Sequence, residues 1–139
     1  MALVYHPTTG TIVICDYNGL EEPEMVKRRL SVVISPDDGR YGLCTLVPLS
    51  TTEPDDIKPY HHRIEWDIPF PAPYASPFHW VKGDMIYTMS FSRLSFPFDG
   101  KDDKNKRKHV VRRLTDTQLK TVRECVLNAI DLSYLTAHL

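Results

Sequence analysis

Short apolar runs separated by turn residues fill most of this chain, and a helical stripe of apolar positions closes it. Thr11-Ile12-Val13-Ile14-Cys15-Asp16-Tyr17 is rich in β-branched residues and follows a Thr8-Thr9-Gly10 turn, so it predicts a first strand. Asn18 to Met25 is a loop punctuated by Gly19 and Pro23. Ser31 to Ile34 predicts a short buried strand, and Pro36-Asp37-Asp38-Gly39 a tight turn, because proline presets φ and the Asp-Gly step tolerates positive φ. The strand that follows, Leu43 to Leu49, is therefore expected to pair antiparallel with its predecessor. Pro48 has no amide to donate and belongs at a strand end or edge, so Ser50, Thr51 and Thr52 are expected where the sheet frays.

Farther on, His62 to Trp66 alternates polar and apolar positions, as a half-exposed strand does. Pro69, Pro71, Pro73 and Pro77 fall within nine residues and predict a long irregular loop carrying several aromatics. Asp84 to Ser92 reads as another strand, with Met85, Tyr87, Met89 and Phe91 on one parity, and Gly100 to His109 as a solvated turn. Thr115-Asp116-Thr117-Gln118 has the capping-box pattern, in which hydroxyl and carboxamide satisfy end amides. Leu119, Val122, Val126, Ala129 and Ile130 then share one helical face, with an end expected near Asp131 to Ser133. Five or six short strands and one amphipathic helix predict a mainly β fold, a small open barrel with a C-terminal helix packed on it.

At 139 residues the chain is expected to be one domain, with the barrel over about 8–114 and the helix over about 116–132. A formal charge of -1 excludes a molecule that binds polyanions through its overall charge, so such a site must come from local clustering. Cys15, Cys44 and Cys125 are an odd set without CxxC spacing, each in an apolar segment, and read as buried reduced thiols. That usage, with no signal-peptide pattern and no long apolar stretch, predicts a cytoplasmic protein with no membrane partner.

Two segments carry candidate chemistry. Lys27-Arg28-Arg29 opens the second strand, and Ser50-Thr51-Thr52 closes the third. Antiparallel pairing would bring a guanidinium and a hydroxyl to one rim, a combination suited to a phosphodiester. His61-His62, with Glu65 beyond, invites a metal reading, but adjacent rings on an extended chain point apart and no ligand quartet completes a site. No metal and no cofactor are expected.

The chain resembles the MazF/PemK (Kid) family of type II toxin–antitoxin ribonucleases. The resemblance rests on Asp16-Tyr17, on Glu24 and the run Arg29 to Ser35, on Val47-Pro48-Leu49-Ser50, and on Trp80 to Ile86 with Arg93-Leu94. It implies an SH3-like barrel, usually a homodimer, that cleaves single-stranded RNA without metal and is neutralised by a small antitoxin. By the same resemblance Arg29 is the catalytic arginine, Ser50 stands for the catalytic threonine, and Asp84 is at an acidic position seen in Kid-like members, with Lys82 in place of an arginine. Leu30 replaces the proline that usually follows the arginine, and Pro23 occupies the place of a Kid-like histidine.

Around that core, Lys27, Arg28, Thr51, Lys82, His61 and His62 are candidate RNA contacts. Tyr60, Tyr74, Phe78 and Trp80 suit either base stacking or packing of the loop on its own barrel. Lys101 to Arg113, with seven Lys and Arg against two Asp, suits either a solvated turn or an extension of an RNA track. Two other functions stay open on the same barrel: a catalytically inactive RNA- or protein-binding module, and a protein-directed toxin like the gyrase poisons that share this architecture.

Overall fold

A computed structural model describes residues 2–139. The β-branched N-terminal runs form the centre of its main sheet. Strand β1 (Ile12–Asp16) pairs antiparallel with β2 (Arg28–Val33), with Ile12 opposite Val32 and Asp16 opposite Arg28. On its other edge β2 meets β3 (Leu43–Ser50), with Val32 opposite Val47 and Ser31 opposite Pro48.

Strand β3 organises everything downstream, because its outer edge has two successive partners. Leu43 to Leu46 pair with β6 (Tyr87–Ser90), and Leu49 and Ser50 pair with β5 (Phe78–Lys82). Pro48 lies between these two ladders rather than at the strand end. The Ile34 N–H donates to Thr45 O at 2.9 Å, so in this register Val47 faces β2 and the Pro48 nitrogen points into the gap between β6 and β5. Its missing donor therefore falls where no partner strand needs one.

The sheet ends at β4 (His61–Glu65), paired with β5, and at β7 (Leu94–Ser95), paired with β1. These end strands do not pair with each other, so the barrel stays open as expected. Helix α1 (Asp116–Ala129) begins with the complete capping box, Gln118 N–H donating to Thr115 Oγ1 and Thr115 N–H to Gln118 Oε1.

Strand alternation sorts the apolar residues onto two faces. Ile12, Ile14, Leu30, Val32, Val47 and Leu49 pack with Leu119, Val122 and Cys125 of α1. Val13, Cys15, Tyr17, Val33, Cys44 and Leu46 pack with Met89, Phe91 and Leu94 on the opposite side. Burying each such aliphatic side chain contributes about 1.5–3 kcal/mol, and both faces of the central strands take part. All three cysteines are buried and unpaired, and burial pushes Cys15 up to about 12 and Cys125 up to about 11. Among the described residues no helix is long and apolar enough to cross a membrane.

Three segments differ from the sequence reading. Phe78–Lys82 is a strand, where the aromatic-rich loop was expected to continue; the prolines end at Pro77, and pairing with β3 and β4 captures the residues after them. The expected strand over Asp84 to Ser92 is shorter. Lys82 to Met85 is a turn closed by a 2.9 Å bond from Met85 N–H to Lys82 O, and Phe91–Arg93 is a turn of 3₁₀-helix. The expected solvated turn at Gly100 to His109 is most of a hairpin, β8 (Phe98–Lys101) with β9 (Arg107–His109), exposed along both strands and paired with no other strand. Asp102 Oδ1 accepts from the amides of Lys104 and Lys106 and so closes its tip.

Candidate functional site

Arg29 lies near the start of β2, on the same face of the strand as Ser31 and Val33. The β2–β3 ladder ends at Ser31 and Pro48; extended by two residues, the same register would set Arg29 opposite Ser50. Beneath them the buried Tyr17 hydroxyl and Ser31 Oγ share a 2.7 Å hydrogen bond, which ties the end of β1 to β2. Among the described residues, Arg29 Nε is the buried side-chain polar atom left without a hydrogen-bond partner. A cationic N–H withdrawn from water without an acceptor is costly unless something supplies one.

Two cavities meet at Arg29. One, of about 330 Å³, is lined by Arg28, Arg29, Thr51, Tyr74 and His79 over a floor of Leu30 and Leu49. The other, of about 510 Å³, is lined by Arg29 with Lys27, Met85 and the loop from Glu22 to Val26. Arg28 reaches sideways to Asp16, 3.2 Å away, and stays mostly exposed. Ser50 is buried, and its Oγ accepts from Thr52 N–H at 3.1 Å. That bond uses a lone pair and leaves the hydroxyl proton free to donate. The local turn and a ligand contact are therefore compatible at Ser50.

Lys82 ends β5, opposite His61 of β4. Burial depresses its ammonium below the usual lysine range, Asp84 opposes that shift, and the Arg29 guanidinium adds to it. Asp84 lies farther out, in the Lys82–Met85 turn. It lines neither Arg29 cavity and faces His61 Nε2 across 3.8 Å. The His61 Nδ1 accepts from Lys58 N–H at 3.1 Å, and burial lowers its pKa. His62, next along β4, is exposed. The structure thus brings Lys27, Arg28, Arg29, Thr51 and Tyr74 onto the walls of the two cavities that meet at Arg29, whereas Ser50 and Lys82 line neither. Asp84 and His61 form a separate rim, and His62 lies on the opposite face of β4. Among the described residues, no three or more His, Cys, Asp or Glu side chains form a group that could hold a metal ion.

Of the four aromatics considered for stacking, Tyr74 alone lines the Arg29 cavity. Trp80 is buried, the Phe78 ring lies under Arg63 at 5.2 Å, and Tyr60 packs edge-on against the His61 ring at 4.7 Å.

The sequence reading missed His79. This buried β5 side chain lines the Arg29 cavity, and its Nδ1 accepts from Trp66 Nε1–H at 2.8 Å. An indole nitrogen only donates, so Nδ1 must be bare and the ring proton sits on Nε2. Protonating Nδ1 would set two N–H groups against each other. Burial, with Arg29 adding its charge, lowers His79 from 6.5 to about 4. His79 is therefore a fixed neutral donor on a cationic wall, with Nε2 as the nitrogen available to a ligand. No motif marks it, because its state depends on Trp66 across a strand pair.

This arrangement has a thermodynamic signature. The unfolded chain takes up a proton at His79 near the ordinary imidazole value of 6.5, the folded protein only near 4, so stability is lost as pH falls through that window. The loss is on the order of 3 kcal/mol. Urea unfolding of wild type and His79→Asn, which keeps an acceptor for the indole, should show the wild-type advantage shrinking by about that amount between pH 7 and pH 4. A constant difference would refute the assignment.

Comparison with known proteins places the chain. The model of the PemK-like, MazF-like toxins of type II toxin–antitoxin systems matches residues 8–130, and the chain belongs to that family. A Haemophilus influenzae protein is 29% identical over 94% of each chain, and YifN of Escherichia coli is 29% identical over 68% of this chain and 76% of its own length. Among solved structures, an endoribonuclease from a mycobacterial species, in complex with its cognate antitoxin, superposes with a TM-score of 0.61 at 15% identity, covering 91% of this chain and 96% of the other. MazF from Deinococcus radiodurans superposes with a TM-score of 0.58 at 18% identity, covering 91% and 98%. At such identities these structural likenesses speak for the fold.

Proposed function

We propose that this toxin-family protein is an endoribonuclease that cuts single-stranded RNA without a metal ion. The observation that carries the reading is the buried Arg29 Nε without an acceptor, beside a 330 Å³ cavity walled by Arg28, Thr51 and the neutral donor His79. A phosphodiester oxygen would complete that guanidinium. Its planar fork can hold two oxygens and stays charged as the phosphorane forms. The free hydroxyl proton of Ser50 and the Nε2–H of His79 would donate to the same phosphate.

In the reaction, the RNA 2′-oxygen attacks the adjacent phosphorus and the bond from phosphorus to the 5′-oxygen breaks. The products are a 2′,3′-cyclic phosphate and a 5′-hydroxyl. The 2′-hydroxyl proton passes to the Asp84 carboxylate. Lys82, whose ammonium is made more acidic by burial, gives a proton to the leaving oxygen. Lys27, His61 and His62 would contact flanking nucleotides, with a homodimer presenting two such sites. The solved relative bound to its cognate antitoxin supports a small antitoxin as partner.

Incubating purified protein with long single-stranded RNA in EDTA tests the reading. Cleavage leaving cyclic phosphate ends is expected, and Asp84→Asn should slow it. Intact RNA would refute the proposal. One observation favours a second reading, that of a binding module: Asp84 stands outside both Arg29 cavities and pairs with His61. RNA binding without any cutting would select that alternative.

A further inference from the structure

The Arg29 cavity does not end at the proline-rich loop. Three of its wall residues, Arg28, Pro73 and Tyr74, also line a second crevice of about 180 Å³, whose far wall is the β8–β9 hairpin. We propose that this crevice is a nucleobase-binding subsite, which takes one base of a single-stranded RNA whose phosphate lies at Arg28 and Arg29. The inference rests on the RNA reading above and assigns a place where sequence is read.

The chemistry of the walls supports a flat heterocycle. Phe98 is 39% exposed although it is aromatic, and the Arg107 guanidinium lies over its ring at 4.5 Å from the centroid. A ring backed by a guanidinium is a stacking platform for any base. Tyr74 stands in the opposite wall, and the Ser95 hydroxyl and His109 ring offer hydrogen-bonding groups for a base edge. Volume points the same way: pockets for drug-sized ligands run to about 300–1,000 Å³, so a crevice of about 180 Å³ suits a single heterocycle.

The hairpin itself gives a second line of argument. Both its strands are exposed and pair only with each other, so it adds little to the barrel. Yet the hairpin, residues 98–109, carries five Lys and Arg against three Asp in a chain of net charge -1. The Arg28 and Arg107 cations in an aromatic crevice, continuous with a guanidinium whose Nε lacks an acceptor, match a polyanion that also carries flat bases. A protein segment would gain less from that cationic rim unless it were acidic.

The test uses the full chain and a mixed-sequence oligoribonucleotide carrying 2′-O-methyl groups, which block internal attack. Abasic residues replace its nucleotides one position at a time, and binding is measured to wild type, Phe98→Ala and Arg107→Ala. Both side chains are exposed, so the variants keep the fold. One abasic position should weaken wild-type binding about tenfold and leave Phe98→Ala binding unchanged, since the same stack cannot be lost twice. Phe98→Ala and Arg107→Ala should also cut unmodified RNA with relaxed preference at that position. Equal effects of every abasic position on wild type and Phe98→Ala would overturn the subsite, even if RNA is still cut. Position-specific coupling without cutting would uphold the subsite and remove the nuclease. No binding at all, or binding only of an acidic peptide, would overturn the subsite.

Discussion

Replacing Arg29 by alanine should slow cleavage of single-stranded RNA by about 10²–10³-fold, the usual cost of removing one preorganised donor from a developing oxyanion. The fold should survive, because the variant removes a buried N–H that has no partner rather than breaking a bond. Urea unfolding should therefore show equal or slightly higher stability, while the initial rate on RNA collapses. Lysine is a poor substitute, since an ammonium cannot span two phosphate oxygens in a fixed plane. Arg29→Lys should recover only a small part of the rate. Equal rates for wild type and Arg29→Ala would separate the cut from this cavity.

Gly83→Ala should cost about 1–3 kcal/mol of stability, the range for forcing an extra carbon into a packed site. A Cβ built at Gly83 would lie 2.7 Å from Cys125 Cβ, 2.7 Å from Tyr60 O and 2.9 Å from Cys125 C. Two of those three atoms belong to the backbone and cannot rotate away. Gly83 N–H also donates to Tyr60 O at 2.9 Å, and Asn128 Nδ2 of α1 donates to Pro59 O at 3.0 Å, so the turn, the neighbouring loop and the helix are drawn together. Lys82 and Asp84 flank the glycine on either side. Pushing the turn off α1 should thus misplace both, and cleavage should fall even where the variant remains folded. Equilibrium unfolding and an RNA assay well below the transition measure the two effects separately. An unaltered urea midpoint would contradict the close approach.

Much of the scaffold was legible residue by residue. Strands β1 to β3 lie close to where their β-branched runs placed them, because turns and side-chain stiffness act within a few residues. The Thr115–Gln118 capping box is also a local device and set the start of α1. The antiparallel pairing of β2 with β3 was likewise expected from two consecutive strands joined by a short turn. Strand β5 was not legible, since it follows a proline cluster and three consecutive residues, His79, Trp80 and Val81, are buried without alternation. Its identity comes from β3 and β4, which flank it in space.

By itself, then, the order of residues determined the central antiparallel strands and the capped helix. Each depends on neighbours within a turn or a hairpin. Tertiary structure alone decided that His79 is neutral with its proton on Nε2, that α1 presses on Gly83, and that the proline-rich loop faces the basic hairpin. Protonation states, steric limits and cavity walls are set by groups from distant parts of the chain, and no local preference encodes which of those groups will meet.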